Sequence, residues 1–90
     1  MNVVHKNILV KGRVQGVYFR SSAFKEARKY NLKGFVRNES DGSVYIEAEG
    51  ENEGMLEFIK WCRKGSAASD VTHVDVSKGE LKEFSKFEVI

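Results

Sequence analysis

Two apolar stripes of helical period, set among short stretches that alternate with a period of two, leave this chain few folds to choose from. Ala23, Ala27 and Tyr30 recur at helical spacing, and Phe24 widens the stripe, which predicts a helix from about Phe19 or Ser21 to Tyr30. Met55, Phe58, Ile59 and Cys62 fall at i, i+3, i+4 and i+7, which predicts a second helix from about Glu53 to Lys64. The helix ends agree. Arg28 and Lys29 close the first helix and Arg63 and Lys64 the second, where cations favour the helix dipole. Asn31 suits a left-handed end with Leu32 packing back, and Gly65 stops the second helix. Between and around them lie candidate strands Asn7–Gly12, Gly34–Glu39, Ser43–Glu49, Val71–Ser77 and a short Lys86–Ile90. Ser40-Asp41-Gly42 reads as a hairpin turn joining the second and third. The order β-α-β-β-α-β, with a short C-terminal strand added, predicts an α+β, ferredoxin-like sandwich. Its sheet is mainly antiparallel and carries two helices on one face. Right-handed crossovers set strands one and three side by side in the middle, whereas the pattern assigns the fifth strand no neighbour.

Ninety residues make one domain, expected over residues 1–90. Fifteen basic against thirteen acidic residues leave a net charge of +2, too small to argue for nucleic acid as a partner yet no barrier to a small anion. A single cysteine, Cys62, forms no internal disulfide, and a reducing compartment is the default. The longest early apolar run, Ile8-Leu9-Val10, is too short for a signal peptide or a membrane span. The expectation is a cytoplasmic monomer with no membrane partner.

The run Gly12-Arg13-Val14-Gln15-Gly16-Val17-Tyr18-Phe19-Arg20 carries the chemistry. It follows the first strand and leads into the first helix. Its two glycines let the backbone turn tightly, so that several N–H groups and one guanidinium face a single small anion. A phosphoryl group fits best. Arg20 read by itself is a solvated arginine at a helix start, free or paired with Glu26 or another acid. Yet a cation beside the positive end of a helix dipole is unfavourable unless an anion completes the site. A guanidinium grips two phosphoryl oxygens at once, and unit charges 4 Å apart attract by about 4 kcal/mol at an effective dielectric of 20. Asn38, just before the hairpin, reads either as a turn former or as a side chain that holds a water, since its amide both donates and accepts. It shares a strand face with Gly34 and Val36.

Several classes are excluded. No Gly-Lys-Ser or Gly-Lys-Thr follows the loop, and there is no Gly-x-Gly-x-x-Gly. His5 and His73 lack paired acids or cysteines for a metal site and read as exposed or strand-edge residues. Cys62 reads as a small core residue, and Trp61 and Tyr30 as core or partial cover.

Gly12-x-Val14-Gln15-Gly16-Val17-x-Phe19-Arg20 resembles the first signature of the acylphosphatases. Gly34-Phe35-Val36-Arg37-Asn38, then Asp41-Gly42-x-Val44 and Gly50, resembles the second. The resemblance spans essentially the whole chain. It implies a small enzyme without metal or cofactor that hydrolyses the carboxyl-phosphate bond of acyl phosphates to carboxylate and inorganic phosphate. Under it, Arg20 and the backbone N–H groups of Gln15, Gly16, Val17, Tyr18, Phe19 and Arg20 bind the phosphate. Asn38 orients the attacking water, and the substrate's own phosphate takes the water's proton. Two departures stand out. The family often has Gly-Pro where this chain has Gly65-Ser66, and Glu39 follows Asn38, although strand alternation turns its charge away.

Two other readings compete. RNA-recognition domains share the topology, but here the third strand has one aromatic, Tyr45, flanked by acids. Related domains also occur inside larger hydrogenase-maturation carbamoyltransferases, and an inactive binding descendant is the remaining alternative.

Overall fold

A computed structural model describes residues 2–90. The elements are β1 (Val3–Arg13), α1 (Phe19–Lys29), β2 (Lys33–Asn38), β3 (Val44–Glu51), α2 (Asn52–Lys64), β4 (Asp70–Gly79) and β5 (Phe87–Val89). The five strands form one sheet in the order β4-β1-β3-β2-β5, with β1 and β3 together in the centre as expected. All neighbouring pairs are antiparallel except β2 with β5. β5, left without a neighbour by the sequence pattern, lies parallel to β2, with Val36 opposite Val89.

The sequence's two stripes meet in one core. Ala23 and Ala27 of α1, and Met55, Phe58, Ile59 and Cys62 of α2, pack with Ile8, Val10, Val36, Ile46 and Ala48 from the sheet. Phe19 tilts against Trp61 at 5.0 Å between ring centroids and so links the two helices. Asn31 takes the left-handed conformation at φ 57°, the Leu32 amide bonds back to the Ala27 carbonyl at 2.9 Å, and Leu32 is buried. Cys62 is wholly buried, and burial pushes its thiol well up from the ordinary range, as befits a core residue.

Three features depart from the sequence reading. β1 begins at Val3 rather than Asn7 and continues through Gly12 to Arg13. Gly12, the last residue of the expected strand, thus lies inside β1, and of the two glycines credited with the tight turn only Gly16 belongs to it. Gly12 sits at the register shift between β1 and β4 with φ 126°, where a Cβ would strike the Asp70 carbonyl. The third departure is His5, which is 2% exposed rather than a strand-edge residue.

His5 is buried because the second face of the sheet is partly covered. β4 and β5 occupy opposite edges, so residues 80–86 must cross the sheet, and they cross the face away from the helices. Glu49 fastens this crossing. Its carboxylate accepts the main-chain N–H groups of Lys82 and of Phe84, the latter at 3.1 Å, and its Oε2 lies 2.8 Å from His5 Nδ1. Glu47 adds contacts to Lys82 Nζ at 2.8 Å and to His5 Nε2 at 3.1 Å. The Phe84 ring stacks on His5 and meets Phe35 edge-on.

Burial alone would raise the Glu49 carboxyl, but the Lys82 amide, the His5 ring and the Phe84 amide outweigh it and hold it below the ordinary carboxylate range. A carboxyl depressed in the folded state stabilises the fold above its unfolded pKa of about 4.5, and that contribution is lost as pH falls through the folded value. Wild-type stability to urea should therefore fall as pH drops below about 4.5, and Glu49→Gln should be less stable at neutral pH with a flatter acid limb. Parallel urea curves at several pH values check this, and equal slopes for both proteins would refute it.

Candidate functional site

The turn between β1 and α1 is pegged at its start by Val14, which is 1% exposed. Gly16 then has φ 73° and Tyr18 φ 62°, with Val17 between them outside the positive-φ region. Alternating signs of φ turn successive N–H groups toward one side and form an anion-binding concavity. A Cβ at Gly16 would meet nothing within 4 Å, so the glycine is needed there for its φ and not for space. Tyr18 has no such freedom, and its left-handed backbone costs about 1–2 kcal/mol. The helix repays part of that cost, because the Tyr18 carbonyl accepts the Ser22 N–H and the Ser21 hydroxyl, each at 3.1 Å.

α1 has no side-chain cap and no acidic residue in its first turn. Ser21 spends its hydroxyl on a carbonyl instead of capping an amide. The positive end of the helix is thus left open to an external anion. Arg20 stands there half-buried. No ion pair among the described residues includes it, Glu26 among the possibilities. A cleft of about 390 Å³ opens at this point, lined by Val14, Gly16, Tyr18, Arg20, Ser21 and Val89. Tyr18, 80% exposed, forms its mouth. A more open groove of about 550 Å³ lies between the helices and is lined by Ser22, Lys25, Trp61, Lys64 and Ser66. It holds neither Arg20 nor Asn38, so size does not locate the chemistry.

Asn38 ends β2 with an exposed side chain on the face shared by Gly34 and Val36. Val36 lies opposite Val89, and Val89 walls the cleft. Asn38 is therefore two positions along the strand from a neighbour of the cleft wall. Glu39 turns to the other face, where its carboxylate is paired with Arg37 Nε at 2.8 Å. The expectation that its charge faces away holds.

Gln15 does more than its main chain suggested. Its Nε2 donates to the Glu39 carbonyl at 2.8 Å and to the Ser43 carbonyl at 2.9 Å, which spends both amide hydrogens on the β2–β3 hairpin. The turn and the residue following Asn38 are thus held together by one side chain. The hairpin is itself stiffened, because Asp41 accepts the Ser43 hydroxyl at 2.6 Å and the Ser43 N–H at 2.9 Å. Those bonds hold the Asp41 carboxyl below the usual range. Nothing local in the sequence announces the Gln15 link, since its partners lie 24 and 28 residues away.

No helix among the described residues is long and apolar enough to cross a membrane. Comparison with known proteins places the chain in a family. The acylphosphatase family model matches residues 6–89. An acylphosphatase of Bacillus licheniformis is 49% identical over 83 residues, covering 91% of this chain and 92% of its own. One from Methylococcus capsulatus is 44% identical over 89 residues, covering 94% and 95%. The crystal structure of an acylphosphatase from Bacillus subtilis superposes with a TM-score of 0.94 at 37% identity, covering 99% of both chains.

The double bond made by Gln15 yields a direct test. Gln15→Met keeps the length and removes both donors, while the Glu39 carbonyl keeps the Gly42 N–H and the Ser43 carbonyl keeps the Glu39 N–H; two lost bonds should together cost about 1–3 kcal/mol of unfolding free energy in urea. An unchanged midpoint would show that the link to the hairpin contributes nothing.

Proposed function

The chain belongs to the acylphosphatase family, and we propose that its cleft hydrolyses the carboxyl-phosphate bond of small acyl phosphates through Arg20, the turn amides and Asn38. The observation that carries this reading is the pairing of an alternating-φ turn with an arginine that no carboxylate neutralises.

The phosphoryl group sits in the concavity. The N–H groups from Gln15 to Arg20 and the Arg20 guanidinium receive its oxygens, with the open end of α1 adding its dipole. Phosphoryl transfer proceeds through a loose transition state whose charge is spread over the equatorial oxygens, so fixed donors around those oxygens do most of the work. Asn38 holds a water for in-line attack on phosphorus. The new P–O bond forms as the bond to the acyl oxygen breaks, and that oxygen keeps the electron pair and leaves as carboxylate. A carboxylate is stable without a proton from an acid catalyst, and a phosphoryl oxygen takes the proton of the attacking water. Neither histidine lines the cleft, His5 lying under the crossing segment and His73 exposed beside Asp75. The same reading makes residues 1–90 a single domain acting as a cytoplasmic monomer. It needs no metal or cofactor, and it involves neither nucleic acid nor membrane.

The purified protein should release phosphate and benzoate from benzoyl phosphate, and a chelator should not slow it. Arg20→Ala should lose at least about 100-fold in kcat/KM, the loss typical of a fixed donor to a developing oxyanion. Arg20→Lys should recover little, because a point charge does not replace a planar fork. Asn38→Ala should lower kcat by about 100-fold while inorganic phosphate still inhibits at near wild-type concentration. Turnover at the wild-type rate by Arg20→Ala would sink the assignment, and the same result for Asn38→Ala would remove Asn38 from it.

A further inference from the structure

We infer that Ser66 is a positioning residue for the anion-binding turn. It aims the Tyr18 amide into the cleft by holding the carbonyl on the far side of the same peptide. The inference rests on the reading of the cleft given above.

Ser66 lies in the segment after α2, far from the turn in sequence, and its Oγ donates to the Val17 carbonyl at 3.1 Å. The carbonyl of Val17 and the N–H of Tyr18 belong to one planar trans peptide and point in opposite directions. Fastening one therefore aims the other. The two sides are distinct in the structure: Ser66 lines the groove between the helices, whereas Gly16, Tyr18 and Arg20 line the cleft. The next peptide is treated alike, since the Tyr18 carbonyl is held by the Ser22 N–H and the Ser21 hydroxyl. Both carbonyls that flank the left-handed Tyr18 thus have protein partners. The amides of Tyr18 and Phe19 are turned the other way.

Ser66 is in turn anchored. Its own carbonyl accepts the Ser69 N–H at 3.0 Å and the Ser69 hydroxyl at 2.8 Å, which closes a tight turn before β4. A proline at this position has no hydroxyl to donate and would restrain the segment only through its ring. In this chain the segment instead reaches across to the turn through a hydrogen bond. A left-handed non-glycine residue persists only where its surroundings over-determine it, and the bond from Ser66 supplies part of that restraint.

The test compares Ser66→Ala, Ser66→Thr and Arg20→Ala with wild type, all assayed on benzoyl phosphate with inorganic phosphate as competitive inhibitor, well below each variant's melting temperature. Losing one neutral hydrogen bond is worth about fivefold. Ser66→Ala should raise KM and the phosphate inhibition constant together by about fivefold, with kcat within about twofold. That split is opposite to the one expected of Asn38→Ala. Ser66→Thr, which retains the hydroxyl, should restore both constants. A purely structural role would lower the melting temperature and leave the two constants unmoved. Wild-type constants in Ser66→Ala, or constants that Thr does not restore, overturn the inference while a dead Arg20→Ala leaves the site reading intact. An active Arg20→Ala removes both.

Discussion

Two peptide planes carry the anion site proposed for this molecule. In the turn from Gly16 to Phe19, the carbonyls of Val17 and Tyr18 have partners in the protein, and the N–H groups of the same two peptides point the opposite way. Uncapped amides at the start of a helix are ordinary, because any helix has them. What distinguishes this one is that the carbonyls cannot rotate to release the strain at Tyr18. An anion entering the cleft meets donors already oriented, and no reorganisation is needed when charge develops on it. Arg20 then adds a full charge where the backbone supplies only partial ones.

Rigidity of that kind comes from what surrounds the turn. The turn hangs from β1, a central strand paired on both sides, and leads into a helix sealed to its neighbour by Phe19 and Trp61. Gln15 ties it to the β2–β3 hairpin and Ser66 ties it to the α2–β4 connection. Three parts of the chain that are remote in sequence thus converge on a handful of residues. The site lies at one end of the sheet, where the β2–β3 hairpin, the end of β1 and the end of β5 meet, and Val89 forms part of its wall. A short last strand with little core of its own is explained by that placement.

The second face of the sheet serves stability. A topology that puts β4 and β5 at opposite edges obliges residues 80–86 to traverse the helix-free face, and a traverse without regular structure has main-chain amides to satisfy. Glu49 satisfies two of them. Its alternation with Ala48 places it on the outer face, where a carboxylate reads as solvated, and the burial of Glu47, Glu49 and His5 comes only from the chain laid over them.

Much of the architecture was legible in residue order. The helical stripes, the hairpin signal and the left-handed Asn31 follow from local periods and local backbone preferences, which act over a few residues, and the central pairing of β1 with β3 follows from the handedness of crossovers. The turn itself was legible from Gly16 ahead of a helix start, and the unwelcome cation there from Arg20, although of the two glycines read into the turn only Gly16 belongs to it. What tertiary structure decided is which particular side chains and edges meet partners dozens of residues away. Gly12 proved to serve a register shift against β4, His5 sank beneath residues 80–86, β5 found β2, and Gln15 and Ser66 became restraints on the turn. A side chain's type says which bonds it is able to make. Only the folded chain says which carbonyl is within reach.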